Sequence, residues 1–461
     1  MRIRTGLALA LASLLMSPLA ASASSKLSAE LVKALGSKAP VQILVRAKAR
    51  SLAPASVQAM ASTPDAMIAL RKRQAADSRK ELAAFLLTNS AVIAQSEGVP
   101  HVRNLKDLWF VNAYSLEASG EMVQKLAARS DVEQVILDRK VQFIKHSQAA
   151  PAPEDPNRPA GKAWGITKIN AQQVWKKLKV NGKGAVIGHI DTGADGTHPA
   201  LAGRILHFKD FTTAGKTDPY DDEGHGSHTA GTIVGTKNGI GVAPGAQLIC
   251  AKALDGQGSG QLSWLLAAMQ WMLDPDGKPR PAAVSNSWGA DRDALGDSAN
   301  VFRDAVKAWR DGGIVPLFSS GNSGPNSQGV PGAYPESFAI GATDSKDKDA
   351  DFSSGSNSEW DGQSFIRPDV CAPGVNVYSA APGAKYVTMD GTSMACPHVA
   401  GVVALMKSAK PSATVADIEK ILGDTAQDLG PAGKDTRFGF GRVDALKAVK
   451  AVKALSAMAH R

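Results

Sequence analysis

Apolar and polar residues alternate through VQILVRAK, with Val41, Ile43 and Val45 on one side, and a period of two marks a strand with one buried face. Residues 66–87 are rich in Ala, Leu, Lys and Arg and read as a helix. The alternation returns in LWFVNAYSLEA, where Leu108, Phe110, Tyr114 and Leu116 share a face. A helix is expected over 121–129, and VEQVIL reads as a last strand. These elements describe a small α+β unit over residues 24–146, and no chemical motif falls inside it.

From residue 163 onward short apolar runs alternate with amphipathic stretches. AVIGHI (185–190), QLICAKAL (247–254), AAVSNSW (282–288), IVPLFSS (314–320) and FAIGAT (338–343) read as strands, and residues 261–273 and 299–311 as helices. Such alternation predicts an α/β fold, a mostly parallel sheet with helices on both faces, whose ligands bind beyond the carboxyl ends of the strands. Between the two patterns, AAPAPEDPNRPAG concentrates proline and polar residues, as an exposed linker open to proteolysis does. The first 23 residues place Arg2 and Arg4 before an apolar stretch and end in Ala21-Ser22-Ala23, the order of a secretory signal peptide. The apolar run from Leu7 to Leu15 is short for a bilayer span, so a soluble exported product with no membrane attachment is expected.

Charge changes this picture in one respect. The 461-residue chain carries a formal +9, yet residues 24–150 hold 18 Lys/Arg against 11 Asp/Glu while residues 151–461 hold 32 of each. The large C-terminal part is neutral, which argues against a nucleic-acid partner and suggests that the chain is not used in one piece. Three cysteines permit at most one bridge and exclude a disulfide scaffold. Cys250 and Cys371 read as buried small hydrophobes.

Candidate chemistry falls at the ends of the apolar runs. Asp191 leaves a strand in HIDTGADGTHPAL, where a carboxylate can be held desolvated; an aspartic protease would need a second such D-T-G, and none exists. His225 and His228 lie in DDEGHGSHTAGTI, with a glycine after the first histidine that allows close backbone approach. A metal site built from both histidines with Asp221, Asp222 or Glu223 is the competing reading, although the H-E-x-x-H spacing is absent. Ser393 lies in DGTSMACPHVAGVVALM at the start of an apolar helix, among free backbone N–H groups that favour developing negative charge. A serine hydroxyl needs a base, and the base needs a carboxylate to fix its tautomer; Asp191, His225 and Ser393 supply that set. Asn322, in FSSGNSGPN, carries a side-chain amide able to donate to an oxyanion.

The segments DTG, HGSHTAGT, SSGN and GTSMACPHVAG, in that order, resemble the subtilisin-like serine protease (subtilase) family. VSNSWG with VPGAYPESFAIGA is similar to its bacillopeptidase F-like branch, and the likeness extends over residues 163–450 through IRPDVCAPG and FGFGRVDALKAV. The resemblance implies a secreted serine endopeptidase made as a self-processing precursor. In it Asp191 orients the base, His225 is base and then acid, Ser393 is the nucleophile, and Asn322 with the Ser393 N–H binds the oxyanion. His228 matches a structural histidine. Gly258, Ser259 and Gly260 with Ser287, Trp288 and Gly289 match the two segments that sandwich an extended polypeptide substrate by strand addition, and Ser319, Ser320 and Gly321 would line the pocket for the residue before the cut. Since these segments hold no acidic residue, strong preference for Lys or Arg is not expected.

The same resemblance makes residues 24–146 a ferredoxin-like inhibitory propeptide, 147–162 a linker holding the maturation site, and 163–461 the catalytic domain of a monomer. No cofactor is required for catalysis. Where family members with a strong calcium site read H-P-D-L, this chain has His198-Pro199-Ala200-Leu201, and residues 232–241 are short for a calcium loop, so weak structural calcium is the most that is expected. Asp218, Asp221, Asp222 and Glu223 remain as another acidic group, read as a solvated loop beside the base. Two other function classes stay open: a metal-dependent hydrolase using the two histidines, and a non-catalytic peptide-binding relic.

Overall fold

A computed structural model describes residues 25–37, 39–49, 63–91, 102–143 and 163–455, so the expected leader and linker lie outside the described residues. Contacts divide the chain into two units. The first comprises Met1–Ala49, Ser78–Asp107 and Asn112–Leu137. Its strands β1 (Val41–Ala47), β2 (Val102–Leu108), β3 (Ala113–Ala118) and β4 (Val132–Leu137) form one sheet in the order β2-β3-β1-β4, with β1 antiparallel to both neighbours. With residues 78–91 of the helix Pro64–Ala91 and the helix Gly120–Ala128 the chain order is strand-helix-strand-strand-helix-strand, that of a ferredoxin-like unit. Ile43, Val45, Leu82, Leu86, Leu116, Val123 and Leu126 make its core. Ser119 starts the second helix by accepting the Met122 N–H. The continuous strand expected over 108–118 is instead the end of β2, a turn at Trp109–Val111, and β3. Asn112, at φ 54°, makes that reversal, a conformation asparagine tolerates better than most residues.

The second unit comprises Arg50–Asp77, Leu108–Val111 and Asp138–Arg461. It contains a short strand β5 (Lys140–Gln142) followed by β6 (Val186–Asp191), β7 (Ile205–Asp210), β8 (Gln247–Lys252), β9 (Ser259–Gln261), β10 (Ala283–Asn286), β11 (Val315–Ser319), β12 (Phe338–Thr343) and β13 (Val370–Pro373). Seven of these form one sheet in the order β13-β12-β11-β10-β6-β8-β7, and every pairing in it is parallel. The sequence pattern misses β7 and β13, the two edges: ILHFKD is only half-buried, and VCAP is short and ends in proline.

Alternation along β6 decides what each face carries. Gly188 faces one side, where a Cβ would lie 2.8 Å from Met272 Sδ, and the same face of β11 stacks Phe318 on Trp309. The helices Leu262–Leu273 and Arg303–Asp311 therefore cover this side. His189 and Asp191 face the other, under the helices His225–Val234 and Thr392–Ala409. Glycines let each helix sit close to the chain beside it: a Cβ on Gly231 would lie 2.5 Å from Ser379 Oγ, and one on Gly401 would lie 2.4 Å from Val242. Among the described residues no helix is long and apolar enough to cross a membrane.

Candidate active site

Asp191 is the last residue of β6 and is fully buried. Its Oδ1 accepts the Thr192 N–H at 2.8 Å and a hydrogen bond from His225 Nδ1 at 2.7 Å; Oδ2 accepts the Thr229 hydroxyl at 3.3 Å. Burial opposes ionisation, but the charge and hydrogen bond of His225 outweigh it and hold the carboxyl below its ordinary range. His225 shows the reciprocal balance: burial disfavours the imidazolium, while Asp191, then Glu223 and Asp221, raise its pKa above the usual value. The bond at Nδ1 leaves Nε2 as the basic nitrogen. Two glycines make this approach possible, since a Cβ on Gly226 would lie 2.0 Å from Gly193 O and one on Gly193 2.0 Å from Tyr220 O.

The acidic group before His225 is solvated only in part: Asp218 and Asp222 are exposed as expected from sequence, Asp221 and much of Glu223 are not. Asp221 is buried and accepts the Thr192 hydroxyl and the Glu223, Gly224 and Ser227 N–H groups, so it satisfies the free donors at the start of the His225 helix. Glu223 accepts the His225 N–H at 2.6 Å. Asp222 pairs at 2.6 Å with Lys252, whose buried ammonium also donates to the carbonyls of Thr192 and Leu254. His228 turns away from His225 to bond the Val377 carbonyl at 2.8 Å, and burial pushes its pKa down to about 3. Among the described residues no group of three or more His, Cys, Asp or Glu is arranged to hold a metal ion.

Ser393 is the second residue of the helix Thr392–Ala409, where its N–H has no carbonyl one turn back to bind. Its Oγ donates to the Ser287 carbonyl at 3.0 Å, and no hydrogen bond joins it to His225 in this state. Ser287 Oγ in turn donates to the Ser393 carbonyl at 2.8 Å, tying the helix start to the segment after β10. Asn322 accepts both the Thr392 N–H (2.9 Å) and hydroxyl (2.8 Å) through Oδ1. That fixes the amide orientation and leaves the NH2 end to face the cleft it shares with Ser393.

An extended segment of the chain itself fills the cleft. Strand β5 pairs antiparallel with β9, Val141 opposite Gly260 and Gln142 opposite Ser259. Phe143 then donates its N–H to the Gly258 carbonyl at 3.2 Å and accepts the Gly289 N–H at 3.3 Å, so it is bonded on both edges. Its ring meets Trp288 edge-on at 5.7 Å and Phe302 at 6.3 Å. Beside it an open part of the cleft, about 400 Å³ with its solvent space included, is lined by Ser287, Ser319, Gly321, Asn322 and Ser393. Ser320, one residue out of phase, lines a separate smaller cavity with Arg367. The wall also includes Asp291, bonded to the Ser323 hydroxyl at 3.0 Å, an acidic group that the motif segments did not reveal. Cys396, one turn after Ser393, is fully buried against Ser285, and burial pushes its thiol up to about 12, so it is a packing residue.

The residues at the expected calcium position do not fit the ion. Ala200 is fully buried, its carbonyl already accepts the Thr236 N–H (3.0 Å) and hydroxyl (3.2 Å), and the chain from Gly235 to Gly241 closes so tightly that a Cβ on Gly241 would lie 2.3 Å from Gly235 N. Calcium needs six to eight oxygens, and here a methyl group stands where a carboxylate would and the Ala200 carbonyl is already engaged. Chelation should therefore lower the melting temperature of the mature protein only slightly in a calorimetric scan. A fall of tens of degrees, reversed by added calcium, would contradict this reading of the turn.

Comparison with known proteins agrees with the geometry. The model of the subtilase family matches residues 182–441. Bacillopeptidase F of Bacillus subtilis (strain 168) is 35% identical over 89% of this chain, which spans 30% of that protein's length. Subtilisin E of the same organism is 33% identical over 70% of this chain and 78% of its own, and an intracellular serine protease of Paenibacillus polymyxa is 34% identical over 59% and 79%. With the matched region holding the parallel sheet, the Asp191–His225 pair and Ser393, the chain belongs to the subtilase family.

Proposed function

We propose that the protein is a subtilisin-type serine endopeptidase that hydrolyses polypeptides through an acyl-enzyme. The observation that carries this reading is the 2.7 Å bond from buried His225 Nδ1 to Asp191, which leaves Nε2 to act as base. Rotation of the Ser393 side chain away from the Ser287 carbonyl brings its hydroxyl to His225, which takes the proton as Oγ attacks the scissile carbonyl. The Asn322 amide and the Ser393 N–H then receive the oxyanion, and the imidazolium returns its proton to the leaving amine. Water repeats the sequence on the ester. Asn322→Ala should lower kcat by roughly 10² to 10³, the cost known for this donor in subtilisin, with little change in KM; an unchanged kcat would remove Asn322 from the oxyanion site.

The segment Lys140–Phe143 supports the reading of residues 24–146 as an inhibitory propeptide whose tail lies in the cleft as a substrate would, bonded on both edges. Cleavage within 147–162, removal of the first 23 residues, secretion and a monomeric product complete the proposal. The test is labelling of the mature protein with a fluorophosphonate. One equivalent on Ser393, undiminished by chelators, is expected; a labelling-inert but peptide-binding protein would mark a relic, and chelator-sensitive hydrolysis without labelling a metal-dependent enzyme. Mass spectrometry of the same product reads both termini.

A further inference from the structure

His189 is a buried titratable group with no part in the reaction just described. It lies two residues before Asp191 on β6, so the pleat puts both side chains on the same face, and only 1% of it is exposed. Its Nε2 is 2.8 Å from Thr229 Oγ1 and 3.9 Å from Asp191 Oδ2, while Nδ1 has no hydrogen-bond partner among the described residues. Thr229 stands one helical turn after His225 and supplies the hydrogen bond to Asp191 Oδ2; the same hydroxyl is also within reach of the carbonyls of His225 (3.2 Å) and Gly226 (3.1 Å). The other groups near the ring include Cys250, opposite His189 on β8, Ser285, opposite it on β10, the carboxylate of Asp221 and the imidazole of His225, which disfavours a charge on His189.

The tautomer follows from counting donors. With the proton on Nδ1, a buried N–H would be orphaned and Nε2 would draw the Thr229 proton away from Asp191. With the proton on Nε2, His189 donates to Thr229 Oγ1, the threonine proton can turn to the carboxylate, the strongest of its three acceptors though not the nearest, and the unpaired atom is only an acceptor. Burial, the largest influence, keeps the ring neutral against the pull of Asp191. We infer that His189 is a positioning residue for the catalytic carboxylate: its Nε2–H sets the Thr229 hydroxyl so that Asp191 Oδ2 has a donor while Oδ1 faces His225. The inference rests on the assignment of Asp191 and His225 to the triad.

The test compares His189→Leu, Thr229→Val, the double variant and His189→Gln in the mature enzyme. An Asp191 that loses its Oδ2 donor is more basic and less fixed. Both single variants should therefore lower kcat by roughly ten- to a hundredfold, in the range of a misplaced catalytic group, at similar KM. Both should also move the acidic limb of kcat/KM to higher pH. The double variant should be no worse than either single, and His189→Gln, whose amide can donate from the Nε2 position, should restore the limb. Effects that add in the double variant, or an acidic limb unmoved in Thr229→Val, would overturn the inference. If His189→Leu does not fold, Thr229→Val and His189→Gln still decide. Asp191→Asn, run in parallel, separates the failures: collapse there with no effect at His189 or Thr229 sinks only this inference, and full activity there sinks the triad assignment.

Discussion

Ser393→Ala should abolish peptide hydrolysis and leave the precursor uncut. In subtilisin itself, loss of the nucleophilic serine lowers kcat by about 2 × 10⁶, and the residue left behind is the binding cleft with its oxyanion donors. The same magnitude is expected here because the remaining parts are held independently of the hydroxyl. Asn322 is fixed by Thr392, His225 by Asp191, and the helix start by Ser287 Oγ bonding the Ser393 carbonyl. Among the described residues the hydroxyl makes one hydrogen bond, to the Ser287 carbonyl, so its removal should cost stability only about 1 kcal/mol. The variant should accordingly be folded and detectable, with Lys140–Phe143 still joined to the rest of the chain. The measurement is the mass of the purified variant beside its turnover of a peptide substrate. A Ser393→Ala product that still processes itself in a protease-free host would refute both the nucleophile and the self-maturation.

How far the chain could be read from its sequence depended on distance along it. Strands buried on both faces are legible: every position of FAIGAT is apolar or small, and VIGHID opens with three such residues before His189 and Asp191. The edge strands Ile205–Asp210 and Val370–Pro373 are not, since half-burial and a terminal proline erase the pattern. Strand β5 escaped for another reason: KVQ becomes a strand only by pairing with Ser259–Gln261, more than a hundred residues away. The site divides in the same manner. Asp191, His225, Asn322 and Ser393 each sit in a short motif whose local chemistry is distinctive. Asp291 and Phe143 are ordinary residues until the fold brings them to the cleft. The acidic run before His225 looked solvated because nothing local announces that Asp221 will satisfy four donors or that Asp222 will meet a buried Lys252. His189 did carry a signal: a histidine two places before Asp191 in a strand must share its face.

Asp191→Asn should be the next most damaging change, and its signature is a pH profile as well as a loss of rate. In subtilisin the equivalent carboxylate is worth about 3 × 10⁴ in kcat, less than the serine because a misaligned base still works occasionally. Here the asparagine would reverse two interactions at once. His225 Nδ1–H could face an amide NH2 instead of a carboxylate, which favours the wrong tautomer and withdraws Nε2 from service. The charge that raises the His225 pKa would also vanish, leaving Glu223 and Asp221 as the remaining acidic neighbours against the desolvation that lowers it. With neutral His225 as the proposed base, activity of the native enzyme should fall as pH drops through a His225 pKa that lies above the ordinary histidine value. In the variant the residual activity should persist to lower pH, its acidic limb displaced downward. The decisive experiment is kcat/KM from pH 4 to pH 10 for both proteins on one peptide substrate. A variant that loses rate but keeps the native acidic limb would show that the group titrating there is not His225 under the field of Asp191, and the general base would have to be sought elsewhere in the cleft.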